Sequence, residues 1–185
     1  MLSQDTSTNG DCIYLSLTYN ECVTYVKNIV ATISHSDLSK YWIVFDIDQT
    51  LLTDEKFKHL YRSRNDIFRF QHRGNHDPIL PMVDLYNWCS SQGLKMCIIT
   101  GRNDSIQKVT QENLYRVGIR KCHRFYTKRG KENTMSYKSR CRKEIIDTGG
   151  IILANIGDQD TDLLISENPR IYGYSRYAIK LPSTY

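Results

Sequence analysis

Three apolar runs in this chain stop abruptly on polar clusters, and that pattern constrains the fold more than any other feature. Tyr41-Trp42-Ile43-Val44-Phe45 ends on Asp46-Ile47-Asp48-Gln49-Thr50, Leu94 to Ile99 on Thr100-Gly101-Arg102, and Ile151 to Ile156 on Gly157-Asp158-Gln159-Asp160-Thr161-Asp162. Short, nearly continuous apolar runs are what strands covered on both faces require. Helical spacing fills the intervals. Cys22, Tyr25, Val26, Ile29 and Val30 recur between Thr18 and Ile33, with Thr18 or Asn20 as cap. Pro78 and Pro81 introduce a helix through Trp88 that ends near Gly93. Asn103 or Asp104 caps one carrying Ile106, Val109, Leu114 and Val117, stopped by Gly118. Thr134 or Ser136 opens another through Ile146, closed by Gly149-Gly150. Cys122–Tyr126 and Arg170–Tyr174 read as further strands, and Asp160–Ser166 as a short helix. The alternation predicts an α/β fold, a central, mostly parallel sheet with helices on both faces. Ligands of such sheets bind beyond the carboxyl ends of the strands, so the three polar clusters are expected to share one crevice.

At 185 residues the chain fits one domain. Residues 41–185 carry the alternating unit. Residues 1–40 are expected to add an arm and a helix packed on it, with no periodic signal in 1–17. Asp54 to Asp77 is polar, charged and aromatic without a packed pattern; His72 and His76 have i,i+4 spacing there, but Gly74 and Asn75 favour a polar loop over a metal-binding helix. No run approaches the roughly 20 apolar residues of a membrane span, and Met1 to Asp11 lacks a secretory apolar segment, so an intracellular, cytoplasmic location is expected. The six cysteines contain no Cys-x-x-Cys pair and read as reduced thiols. The net charge of +5 is uneven: Arg116 to Lys143 holds eleven Lys and Arg against Glu132 alone. That basic window is either a solvated face or a collar for anions, nucleotides and nucleic-acid ends included.

Two carboxylates at the exit of a buried strand are costly to desolvate without a cation. The hard oxygen donors of Asp46, Asp158 and the Asp48 backbone suit Mg²⁺, which takes few protein ligands and pairs with phosphate. Asp46 is the candidate nucleophile, able to split one displacement into two through an acyl-phosphate. Asp48 is the candidate acid and base, since a nucleophile cannot also supply the proton. Thr50 would fix the turn by hydrogen bonds. Thr100, with the backbone N–H groups of Gly101 and Arg102, can hold phosphoryl oxygens, while Arg102 could pair with substrate or form a surface salt bridge. Lys138 would neutralise Asp46 and the transferring phosphoryl group, in competition with Arg140, Arg142 and Lys143 on what otherwise reads as a solvated helix face. Asp162 would orient Lys138 or hold metal-bound water, and Asp160 would face solvent. The absence of a GxxxxGK[ST] loop argues against a P-loop kinase.

These residues resemble the motifs of the haloacid dehalogenase (HAD) superfamily, phosphatase branch: DIDQT the first, IITGR the second, the lysine of SYKSRCRKEI the third and GDQDTDL the fourth. YKSRCRKEI, NIGDQDTDL and AIKLPSTY further resemble the group of acid phosphatases and vegetative storage proteins. The resemblance, from about Tyr41 to the end, implies a Rossmann-like HAD core with little or no separate cap, Mg²⁺ dependence and phosphomonoester substrates. It assigns Asp46 as nucleophile, Asp48 as acid/base, Thr100 and Lys138 as the phosphate-binding pair and Asp158 as metal ligand supported by Asp162. It also places substrate selection in Glu55–Asp77. Some storage-protein relatives lack the nucleophile, whereas this chain has Asp46. The expectation is a Mg²⁺-dependent phosphomonoester hydrolase; a catalytically silent phosphate or nucleic-acid binder and a phosphotransferase are the alternatives.

Overall fold

The computed structural model describes residues 12–167 and 170–183, so residues 1–11 of the expected arm lie outside the described residues. In chain order the elements are β1 (Ile13–Ser16), α1 (Tyr19–Ala31), β2 (Tyr41–Phe45), β3 (Leu52–Thr53), α2 (Arg64–Arg73), β4 (Asp77–Pro78), α3 (Leu80–Ser91), β5 (Lys95–Asn103), α4 (Gln107–Arg116), β6 (Arg124–Lys128), α5 (Thr134–Asp147), β7 (Ile151–Gly157), β8 (Leu164–Glu167), β9 (Arg170–Tyr172) and β10 (Tyr177–Lys180). Six strands form one sheet in the order β1-β10-β7-β2-β5-β6, every neighbouring pair parallel. The chain leaves central β2 to build β5 and β6 on one side, then crosses to β7 and β10 on the other, where β10 also pairs with the earlier strand β1 at the edge. The switch point therefore lies at the exit of β2.

Alternation along β2 explains the two layers. Ile43 and Phe45 face a large core with Cys22, Val26 and Val30 of α1 and Met82, Leu85, Tyr86 and Cys89 of α3. Trp42 and Val44 face the other side, where Tyr137, Cys141 and Ile145 of α5 close over Cys97, Ile99 and Ile152. Successive side chains of a strand point to opposite faces, so a central strand must be apolar throughout. Each such aliphatic side chain contributes about 1.5–3 kcal/mol on burial. All six cysteines are free thiols. Among the described residues, no helix is long and apolar enough to cross a membrane.

The capping readings hold in part. Thr18 closes a capping box with Glu21, and Asn103 accepts from the backbone N–H of Ser105. Helix α5 begins at Thr134, one of the two expected positions, and is capped by Asn133, whose side chain accepts from Met135 and Ser136. Other elements depart from the pattern. Ile13–Ser16 is an edge strand of the sheet, too short and too one-sidedly buried to announce itself. Tyr177–Lys180 is likewise a sheet strand, while the one expected at Arg170–Tyr174 forms only Arg170–Tyr172 and pairs antiparallel with β8. The helix expected over Asp160–Ser166 is one 3₁₀ turn, Asp160–Asp162, followed by β8. The strand expected at Cys122–Tyr126 runs over Arg124–Lys128.

The polar stretch 54–77 is largely helical, and the Gly74-Asn75 break leaves His76 beyond the helix that holds His72. The stretch has a 3₁₀ turn at Glu55–Leu60 and then α2, which ends on left-handed Gly74. Phe70 is the apolar anchor of this insertion, stacked on Phe57 at 4.6 Å and on His76 at 4.6 Å.

Gly150 joins α5 to β7 where no side chain fits: a Cβ there would lie 2.7 Å from Ile145 Cγ2, 2.7 Å from Trp42 Nε1 and 2.8 Å from the Ile145 carbonyl. Gly150→Ala is expected to lower stability by about 1–3 kcal/mol, read as a shifted urea midpoint at unchanged slope.

Candidate active site

The backbone N–H of Asp46 donates to the carbonyl of Ile156 (3.0 Å), extending the β2–β7 ladder by one residue. The chain then reverses, because the carbonyl of Ile47 accepts from the N–H groups of Thr50, Leu51 and Leu52. Thr50 thus fixes the turn through its backbone. Its buried hydroxyl has no hydrogen-bond partner. Thr100 and Gly101 lie in the last part of β5, Lys138 in the second turn of α5, and Asp158 directly after β7.

Lys138 Nζ bridges two carboxylates, Asp46 Oδ1 at 2.6 Å and Asp162 Oδ1. All three side chains are buried. The other oxygen of Asp162 accepts from the N–H of Gln159 (2.9 Å). Gly157 permits this packing, since a Cβ there would fall 2.3 Å from Asp162 Oδ2. Asp158 Oδ2 accepts from Gln159 Nε2 (2.6 Å) and the Ser183 hydroxyl (3.1 Å). Carboxylate oxygens of Asp46, Asp158 and Asp162 lie within 4.8 Å of one another.

Three buried carboxylates against one ammonium leave surplus negative charge. Burial pushes Asp46 well above the usual carboxylate range against the pull of Lys138, and Asp162 and Asp48 push the same way. Asp158 is also raised, mainly by burial. Burial would lower Lys138, but Asp162 and Asp46 outweigh it and hold the ammonium firmly protonated. An all-oxygen cluster with surplus negative charge fits a hard divalent cation.

Asp48 points elsewhere. Arg102 grips it with Nε at 3.0 Å and Nη2 at 2.6 Å, Gln71 donates to it at 3.4 Å, and His76 Nε2 stands 3.9 Å away. Burial works to raise Asp48, yet the guanidinium wins and holds the carboxyl below its ordinary value. From Asp48, only the backbone carbonyl is left for an ion. Arg102 is neither a surface salt bridge nor turned outward: its side chain is fully buried, with Nη1 on Thr110 (3.4 Å).

His76 and Gln71 are neighbours of Asp48 that the sequence reading passed over. The signals were present in Ser63-x-x-Asp66 at the start of α2, where the Ser63 hydroxyl donates to Asp66, and in Gly74, which ends the helix. Arg142 is also not on a solvated face. It is buried and donates to the carbonyls of Asp162 (2.7 Å) and Leu164 (2.5 Å), bracing the Asp158–Asp162 loop from behind. Arg140 and Lys143 are exposed and pair with Glu132 and Asp147. Asp160 is engaged by Lys180 and Arg170. Arg129 pairs with Asp104 as well, so much of the basic window is already engaged within the protein, Lys138 and Arg142 in the interior.

The family model described as HAD superfamily, subfamily IIIB (acid phosphatase), matches residues 12–185. Acid phosphatase 1 of Solanum lycopersicum is 31% identical over 133 residues, 66% of this chain and 51% of that protein. Vegetative storage protein 1 of Arabidopsis thaliana is 31% identical over 180 residues, 92% of this chain and 65% of that protein. The chain thus spans between half and two thirds of these relatives' lengths. Among solved structures, the class C acid phosphatase from Bacillus anthracis superposes with a TM-score of 0.68 at 16% identity, over 90% of this chain and 75% of that one. The same enzyme with tungstate bound gives 0.63 at 16% identity, over 90% and 76%. At that identity the likeness speaks for the fold.

Burial, then Arg102, lower His76 from 6.5 to about 4. Between those values the unfolded chain binds more protons, so stability is complete above about pH 6.5 and falls as pH drops towards 4. The loss from this one side chain amounts to about 3 kcal/mol. Urea midpoints at neutral pH and near pH 4 should therefore converge in His76→Gln relative to the parent. An equal acid loss in both would place it on other groups.

Proposed function

The chain belongs to subfamily IIIB of the HAD superfamily, the acid phosphatases, and we propose that it hydrolyses phosphomonoesters through a phosphoryl intermediate on Asp46. The observation that carries this reading is the buried Lys138 bridge between Asp46 and Asp162, beside Asp158 at the mouth of a parallel sheet. Mg²⁺ would fit the donor set: Asp46, Asp158 and the Asp48 carbonyl would hold it, and it would supply neutralisation of phosphoryl charge. The protein's own groups do the rest. An oxygen of Asp46 attacks phosphorus as the ester bond breaks, and Asp48 gives its proton to the departing alkoxide. Asp48 then takes a proton from water as that water attacks the aspartyl-phosphate, releasing inorganic phosphate and restoring Asp46. The Thr100 hydroxyl, the Gly101 N–H and Lys138 receive the phosphoryl oxygens.

Arg102 aims Asp48. It keeps the carboxyl ionised and ready as base, and the incoming phosphoryl charge competes for the guanidinium and favours protonation of Asp48 for the acid step. The tungstate bound by the Bacillus anthracis enzyme is a tetrahedral oxyanion like phosphate, which agrees with a phosphorylated substrate. Pairing of Arg129, Arg140 and Lys143 with acids of the protein itself leaves less charge for a polyanion, which weighs for a small phosphorylated molecule, nucleotides included, over a polynucleotide.

Hydrolysis of p-nitrophenyl phosphate from about pH 4.5 to about pH 8, with Mg²⁺ or EDTA, tests the reading. The parent should turn over only with the metal, and Asp46→Asn should not turn over. A parent inert on this ester and on a panel of nucleotides and sugar phosphates, yet still binding phosphate, would favour a silent binder.

The choice of lysine has its own check. Lys138→Ala is expected to cut kcat by about 10²–10³, and Arg140→Ala to leave it near the parent's. Equal losses would remove Lys138 from its role. Asp48→Asn should lower kcat/KM for alkyl phosphates far more than for p-nitrophenyl phosphate, whose leaving group needs little help from an acid, while kcat falls for both because the base for water is lost.

A further inference from the structure

Gln49, between Asp48 and Thr50, has left-handed backbone (φ 57°) although it carries a full side chain. Such a conformation persists in a non-glycine residue only when its surroundings over-determine it. Its N–H donates to the Leu52 carbonyl (2.8 Å), its Nε2 to Asp54 Oδ1 (2.7 Å), and its Oε1 accepts from the Thr53 hydroxyl (3.3 Å). Those three bonds stay within the same stretch of chain. The fourth comes from far away: the hydroxyl of Tyr19, the first residue of α1, donates to the Gln49 carbonyl at 3.1 Å.

The donor is itself firmly placed. Thr18 caps α1, the N–H of Leu17 donates to the Lys180 carbonyl (3.0 Å), and the Tyr19 ring packs on the main core. Burial, then the carboxylates of Asp158 and Glu55, raise the Tyr19 phenol, which sets it among the acids at the crevice rim.

We propose that Tyr19 is a positioning residue for the nucleophile loop. Its hydroxyl fixes the peptide plane between Gln49 and Thr50, and with it the mutual angle of the Asp46 and Asp48 side chains and the direction of the Asp48 carbonyl. The inference rests on the roles given above to Asp46 and Asp48. It makes the segment before residue 41 part of the functional unit, where the sequence offers only a packed helix.

The test compares Tyr19→Phe with Tyr86→Phe, which loses a hydroxyl-to-carbonyl bond of similar length (2.9 Å, to Lys121) from a buried ring. Hydrogen exchange of the amides of residues 49–52 is expected to quicken by about fivefold in Tyr19→Phe. Its kcat for p-nitrophenyl phosphate should fall by about the same factor at unchanged KM, and Tyr86→Phe should change neither reading. Unchanged loop exchange in Tyr19→Phe would overturn the proposal, as would equal quickening in both variants or a rise in KM alone. A parent without turnover would sink the hydrolase reading, and the exchange comparison would still decide the role of Tyr19.

Discussion

Charge balance around one lysine governs the architecture of this protein. Lys138 sits between Asp46 and Asp162 with Asp158 alongside, and four ionisable groups out of water are tolerable only when their geometry is tight and their remaining hydrogen bonds are made. Much of the surrounding structure meets that demand. Gln159 and Ser183 satisfy Asp158, the Gln159 amide satisfies Asp162, and Gly157 withholds a side chain so that Asp162 can come close. Arg142 spends a full buried guanidinium on loop carbonyls behind the cluster.

The parallel sheet makes the convergence possible. β2, β5 and β7 deliver Asp46, Thr100 and Asp158 at neighbouring strand exits because their registers are locked by apolar faces on both sides. A slip of one residue would reverse every side chain between core layers, so the positions of the acids are set by the strands below them. Asp48 belongs to a second electrostatic unit, with Arg102 from β5 and Gln71 and His76 from the insertion. The two units keep the neighbouring acids of one loop in different environments, one raised and one lowered. Groups with opposite duties need that division.

What could be read from the sequence follows from how strongly each element is buried. Strands covered on both faces and helices with a clear apolar stripe were legible, and with them the positions of Asp46, Thr100, Lys138 and Asp158. The edge strand Ile13–Ser16 and the four-residue Tyr177–Lys180 were not, since so few residues carry no period. Helix α2 hid because its residues are mostly polar and its anchor is a single Phe70. The burial of Arg102 and Arg142 was illegible for another reason: a cationic side chain looks solvated until its long-range partners are known, and these lie in Asp48 and the Asp162–Leu164 backbone.

The pairing of β1 with β10 alone has a consequence for how the molecule is made. Ile13 lies in register with Tyr177, so β1 has no sheet partner until β10, far along the chain, has been made. Closing so long a loop is slow because its entropy is lost before any contact repays it. Until then the segment just before α1 waits unpaired while β2, β5 and β7 assemble from nearer neighbours. Ser183 follows β10 closely and bonds Asp158, so the sheet edge and the acid cluster are completed together.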